Sequence, residues 1–151
     1  MTRGKSSGPG GQHRNKVASK VTLEHIPTGV LAQAGEARRA EENRVTALRR
    51  LRLELAVHIR YTVPRGEIRS ELWLRRCGKE GRIVCNPRHE DFPALLAEAL
   101  DVIAACNWDE KKASLRLCCT VSQLIKFVKD HPAAMEEWNR QRAERGEHVL
   151  K

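Results

Sequence analysis

The sequence predicts an α+β fold, a small β-hairpin or sheet packed on one long helix, with a mobile loop ahead of it and a helical C-terminal region behind. Three observations predict it. Apolar and polar residues alternate around a Pro-Gly turn near residue 27. Apolar residues then recur at three- and four-residue spacing from Val45 to Ile59. Beyond Phe92, short apolar segments follow one another behind residues that cap helices.

The opening, Met1 to Lys20, is rich in Gly, Ser and basic residues, and the first acid in the chain is Glu24. It reads as a mobile basic loop. Lys20 to Ala34 reads as the hairpin. Val21 and Leu23 alternate with Thr22 and Glu24, Ile26-Pro27-Thr28-Gly29 forms the turn, and Val30 and Leu31 start the return strand. Glu36 to Ile59 reads as one helix with the apolar stripe Val45, Leu48, Leu51, Leu55 and Ile59.

Residues 61–87 carry weaker signals. Pro64 and Gly66 suggest a connection, Leu72 to Leu74 fits strand or helix, and Arg82 to Cys85 fits a short strand. Phe92 to Cys106 reads as a helix. Asp109 is positioned to cap a helix over Glu110 to Leu117, Thr120 or Ser122 another through Lys129, and Pro132 suits the first turn of a last one ending near Gly146. The expected organisation is residues 1–60, a connection over 61–90, and a helical domain over 91–151.

Composition narrows the function. A net charge of +9 favours a polyanionic partner. The most apolar stretch, Phe92 to Cys106, is interrupted by Glu98 and Asp101 and is too short to span a bilayer. Nucleic acid is therefore the expected partner, without a membrane. The N-terminus lacks the apolar core of a secretory signal. Five cysteines without C-x-x-C pairing suggest neither a disulfide framework nor a zinc site, and a cytoplasmic location is expected. Cys118 and Cys119 read as small buried apolar residues.

The informative motif is Ser7-Gly8-Pro9-Gly10-Gly11-Gln12-His13-Arg14-Asn15-Lys16-Val17. A strand follows it, then His25-Ile26-Pro27-Thr28-Gly29-Val30, then a helix opening with Arg38 and containing Asn43. A bare Gly-Gly-Gln arises by chance, but several spaced elements agree here. This pattern, over about Arg3 to Ile59, resembles the catalytic domain of bacterial-type class I peptide chain release factors and their ribosome-rescue relatives.

The resemblance implies hydrolysis of the ester joining a nascent peptide to tRNA, with Gly10, Gly11 and Gln12 as the catalytic tripeptide. Glycines without Cβ let a backbone approach RNA closely. The resemblance assigns the Gln12 backbone N–H to stabilisation of the reacting centre, an oxyanion-type effect. It assigns the Gln12 side chain to admitting water and excluding larger nucleophiles. No metal or cofactor is implied. Arg3, Lys5, Arg14, Asn15, Lys16 and Lys20 are expected to bind RNA. His13 is expected to serve RNA contact or structure in preference to acid–base work. The implied partner is the ribosome, through large-subunit rRNA and P-site peptidyl-tRNA, and a monomer is expected.

The chain also departs from the pattern. Release factors usually carry Arg-Ser-Gln near the helix start, where this sequence has Arg38-Arg39-Ala40. A strand normally precedes the loop, and only Met1 to Lys5 are available to form it, so the sheet is expected to be a strand short or the chain start internal. No reader tripeptide (Pro-x-Thr or Ser-Pro-Phe) and no preceding stop-codon domain is found, which argues for codon-independent rescue. Rescue hydrolases typically end in a basic tail, but here Glu144 and Glu147 interrupt Arg140, Arg142, Arg145 and Lys151.

In the second half, Ala113-x-x-x-Leu117 and Thr120-Val121-Ser122-Gln123-Leu124-Ile125 have the rhythm of a helix-turn-helix. A plain helical bundle is the favoured reading, with Trp108 and Trp138 closing its core. The alternative function is a non-catalytic RNA- or DNA-binding module using the basic loop and this segment. A third reading is a release-factor relative with another RNA-processing role.

Overall fold

A computed structural model describes residues 2–4 and 19–151. Strand β1 (Thr2–Gly4) pairs antiparallel with β2 (Lys20–His25), which pairs antiparallel with β3 (Val30–Ala34). Six helices follow: α1 (Ala40–His58), α2 (Glu71–Arg76), α3 (Phe92–Ala105), α4 (Glu110–Leu117), α5 (Val121–Lys129) and α6 (Pro132–Ala143). The fold is α+β, as the alternation and helical spacing predict. The sheet is not a strand short, because Thr2, Arg3 and Gly4 stand opposite Thr22, Val21 and Lys20. Three residues suffice for that strand because β2 already offers a free edge.

The chain divides into two compact units, one ending at Leu55 and one running Ala56–Lys151. In the first unit the β2–β3 turn closes through Gly29 N–H donating to the His25 carbonyl at 2.8 Å, with Gly29 at φ +70°. That left-handed conformation suits glycine. Register places Val21 opposite Ala34 and Leu23 opposite Ala32. Val21 and Ala34 pack with Ala47 of α1, flanked by Leu23 and Ala40. Alanines at both sides of this contact let the helix sit close to the sheet.

Two helix expectations change. The helix starts at Ala40 instead of Glu36, because the lead-in backbone is satisfied by a side chain: Asn43 Oδ1 accepts from Ala37 N–H and Nδ2 donates to the Ala37 carbonyl, both at 2.9 Å. The apolar stripe is also displaced. Val45 and Leu48 are 69% and 48% exposed, and Leu55 and Ile59 are only partly buried. Of the expected stripe only Leu51 is buried, and the inward face runs Asn43, Ala47, Leu51. Small and polar residues make the contact here, so counting large apolar residues points to the wrong side of the helix.

The second unit is a helical bundle with a short hairpin. Leu72 to Leu74 are helical, within α2. Ser70 caps that helix by accepting from Trp73 N–H, and its own N–H and hydroxyl donate to Glu98 of α3. The segment Arg82 to Cys85 supplies one antiparallel bridge, Ile83 opposite Cys77, without becoming a strand. Asp109 caps α4 by accepting from Lys112 N–H at 2.8 Å, and Thr120, not Ser122, caps α5 by accepting from Gln123 N–H at 3.2 Å. α3 buries Phe92, Leu95, Leu96, Leu100 and Ile103, each such side chain contributing about 1.5–3 kcal/mol relative to exposure.

Three tryptophans anchor this core. Trp73 and Trp138 are fully buried, and each indole N–H reaches a carbonyl, Leu117 at 2.9 Å and Trp108 at 3.0 Å. Trp73 packs edge-on to Phe127, which also meets Phe92. Trp108 and Trp138 belong to the core as expected; Trp73, from the weakly patterned connection, belongs to it too. Cys118 differs from expectation. It ends α4 in the left-handed conformation and is exposed, whereas Cys119 is only partly buried.

Candidate functional site

Of the residues the sequence singles out, Lys5, Gly10, Gly11, Gln12, His13, Arg14, Asn15 and Lys16 lie outside the described residues. The structure describes the frame from which they depart and to which the chain returns. Gly4 ends β1 and Lys20 begins β2, and the two are direct register partners. Paired antiparallel residues stand about 4.5–5.5 Å apart at Cα, so both ends of the tripeptide segment are anchored at one place on the sheet. Arg3 stands opposite Val21, and Lys20 is half-buried at the head of its strand.

A side chain from α1 fixes the returning end. Asn43 is 1% exposed, and its Nδ2 donates to the Ser19 carbonyl at 2.6 Å in a buried bond. The same amide holds Ala37 through both its N–H and its carbonyl. One buried amide therefore ties three segments together: the residue preceding β2, the lead-in to α1, and α1 itself. Replacing it would leave buried polar groups without partners. Asn43 was not among the expected functional residues. The available signal was a polar residue in helical register with inward-facing Ala47 and Leu51.

Arg50 makes a second clamp. Its guanidinium donates to the Gln33 carbonyl and to Glu36, each at 2.7 Å. The Arg50 hydrogen bond, with the Gly35 N–H on the other carboxylate oxygen, holds the Glu36 carboxyl below the usual range. Some of the arginines that cover α1 pair locally, Arg39 with Glu42 and Arg44 with Glu41, on exposed surface. Such pairs contribute little to stability.

Three cysteines of the second unit are poorly set up as nucleophiles. Burial pushes the Cys119 thiol up to about 12 and raises Cys77 and Cys85 as well, so these sulfurs stay protonated near neutral pH. Arg142, one of the expected C-terminal basic residues, is structural. It is 7% exposed, pairs with Glu110 and Glu147, and donates to the carbonyls of Trp108 and His148.

The first unit is an antiparallel three-stranded sheet backed by one long helix, and the Gly-Gly-Gln segment lies in sequence between its first two strands. Residues 1–72 match the family model of the RF-1 domain. Over 51 residues the chain is 49% identical to peptide chain release factor 1 of Ureaplasma parvum serovar 3, covering 34% of this chain and 14% of that protein. It is 48% identical over 54 residues to peptide chain release factor 2 of Variovorax paradoxus, covering 36% and 15%. It is 41% identical over 58 residues to peptide chain release factor 1 of Rhodospirillum rubrum, covering 38% and 16%. Over residues 1–72, just under half of its length, this chain is thus similar to the RF-1 domain, and over 51 to 58 residues to peptide chain release factors 1 and 2. The chain covers only about a seventh of the length of these relatives. No solved structure matches it.

Proposed function

We propose that this protein hydrolyses the ester of peptidyl-tRNA on the ribosome, independently of a stop codon, with Gly10-Gly11-Gln12 at the reacting centre. The observation that carries this reading is the tripeptide itself, set within a segment that matches the RF-1 domain. In the proposed reaction water attacks the ester carbonyl carbon. Negative charge develops on the carbonyl oxygen, and the bond to the ribose oxygen breaks. The products are a peptide with a free carboxylate and a tRNA with a free ribose hydroxyl. A rigidly placed donor lowers such a barrier by meeting charge as it forms, and the Gln12 backbone N–H is the donor in this proposal. The rRNA of the large subunit supplies most of the surrounding site, so a slim glycine tip is what the protein must bring.

Arg3, Lys5, His13, Arg14, Asn15, Lys16 and Lys20 are proposed to contact RNA around the tip. Phosphate contacts from such groups position a protein and make its affinity salt-dependent. The anchoring of Gly4 and Lys20 side by side supports this reading, since a tip needs a fixed base. Codon independence is the finer part of this proposal, and release without mRNA is what supports it. The experiment is peptide release from purified ribosomes carrying peptidyl-tRNA in the P site, with and without mRNA. Release without a stop codon supports the proposal, and absence of release at all protein concentrations contradicts it.

A further inference from the structure

Within the helical bundle of the second unit, α4, a three-residue turn and α5 follow one another with the spacing of a helix-turn-helix. α4 has eight residues, the turn Cys118-Cys119-Thr120 has three, and α5 has nine. Cys118 takes φ +52°, a left-handed first turn residue of the kind often filled by glycine in this motif. Ala113 and Leu117 of α4 and Leu124, Phe127 and Val128 of α5 are buried, and α3 packs against both helices. The bundle therefore carries a turn with the spacing of this motif. A bundle needs short capped helices, but not this turn.

A second element is fixed to the motif. The hairpin around Gly78 to Arg82 closes through Gly81 N–H to the Gly78 carbonyl and Gly78 N–H to the Arg82 carbonyl. Thr120 N–H, in the turn itself, donates to the Gly81 carbonyl at 3.2 Å. The approach is tight: a Cβ on Gly81 would lie 3.0 Å from Cys119 Cα and Thr120 N. Arg82 and Asn86 thereby line one concave surface with Gln123 and Lys126 of α5. Lys126 also borders an adjoining concavity with Ser122, Lys129 and Lys151. Asp130 edges both at the C-terminal end of α5, and Glu80 lies at the hairpin tip.

We infer that this surface, α5 with the Arg82 hairpin, binds double-stranded RNA without reading its sequence. Four cations, Arg82, Lys126, Lys129 and Lys151, outnumber the two acids there, Asp130 and Glu80. The other polar groups lining it, the exposed Ser122 hydroxyl and Asn86 amide and the half-buried Gln123 amide, suit phosphates and ribose 2′-hydroxyls. α5 contains no arginine, the residue that most often reads guanine in the major groove of DNA. Duplex RNA presents 2′-hydroxyls and phosphates along a shallow minor groove and is bound by shape. The choice of RNA over DNA also rests on the ribosomal function proposed above. The motif would hold the catalytic unit near its substrate, raising its effective concentration there.

The test uses the full chain, a short RNA duplex and a DNA duplex of the same sequence, with affinity measured by fluorescence anisotropy over a salt series. Replacing Arg82, Lys126 and Lys129 together by Gln should weaken RNA-duplex binding about tenfold or more. The slope of log affinity against log salt should fall by about two to three, one for each lost phosphate contact. All three are surface positions, and Lys126→Glu alone, which changes only an exposed side chain, gives the same readout if the triple variant unfolds. Lys126→Arg should restore the slope. Unchanged affinity and slope would overturn the inference, and so would a DNA duplex bound as tightly as the RNA. No ribosome and no ester is present, so failure here is distinct from failure of peptide release.

Discussion

Asn43 donates from Nδ2 to the carbonyl of Ser19 at 2.6 Å, across twenty-four positions of sequence, and the bond is buried. Through it the end of the tripeptide segment is fixed to the long helix. Asn43→Ala would leave the Ser19 carbonyl and both backbone groups of Ala37 without this partner. An unsatisfied buried group costs about 1–3 kcal/mol, so a loss of about 2–4 kcal/mol is expected in urea unfolding. Asn43→Asp keeps the shape but cannot donate to either carbonyl, and should lose stability as well. If both variants unfold at the wild-type midpoint, Asn43 does not anchor the frame.

Arg142 is the corresponding residue of the helical unit. It joins Glu110, Glu147 and the carbonyls of Trp108 and His148 while nearly excluded from water. Arg142→Ala leaves two acids beside buried carbonyls, and about 3–5 kcal/mol should be lost. Thermal melting by circular dichroism reads this directly. A loss below about 1 kcal/mol, typical of a surface pair, would contradict the structural role.

Acid should act through Asp91. Arg76 donates to its carboxylate at 2.7 and 3.1 Å, and this hydrogen bonding holds the carboxyl below its usual range. A depressed folded value means that the contribution is present at neutral pH and is lost as pH falls through that value. The acid limb of the melting curve should therefore flatten in Asp91→Asn. A variant whose limb follows the wild type at every pH would show that this pair does not couple stability to pH.

The fold was legible where one physical signal dominates. Alternation around Pro27 and Gly29 marked the hairpin, Asp109 marked the start of α4, and Thr120 was one of two candidate caps for α5. The sheet's first strand was harder, since Thr2–Gly4 has no periodicity and pairs only because β2 has an edge to fill. The α1 face was misread because Asn43 and Ala47 make its contact while Val45 and Leu48 face outward. Trp73 was missed because its burial depends on Leu117 and Phe127, distant in sequence. In the candidate site the tripeptide was singled out from residue type and context, and it lies outside the described residues. The partner of Asn43 was not legible, because the register with Ala47 and Leu51 places the amide on the inward face but does not name the Ser19 carbonyl, twenty-four positions away, that it meets.

The basic residues near the tripeptide are expected to act through counterion release. Replacing Arg14, Lys16 and Lys20 by Gln should weaken ribosome binding and reduce its salt slope by about three. Binding measured across a salt series checks this. An unchanged slope would mean that these side chains remain solvated in the complex.

The central claim is that the Gly-Gly-Gln tip performs hydrolysis, and Gly11→Ala tests it most directly. The substitution adds a Cβ that restricts the backbone and removes no charge. Peptide release should be measured with purified ribosomes holding peptidyl-tRNA in the P site, alongside ribosome binding by co-sedimentation. The account predicts that binding is retained while release falls by at least about a hundredfold, the scale of losing one preorganised donor. Release by Gly11→Ala at the wild-type rate would contradict it.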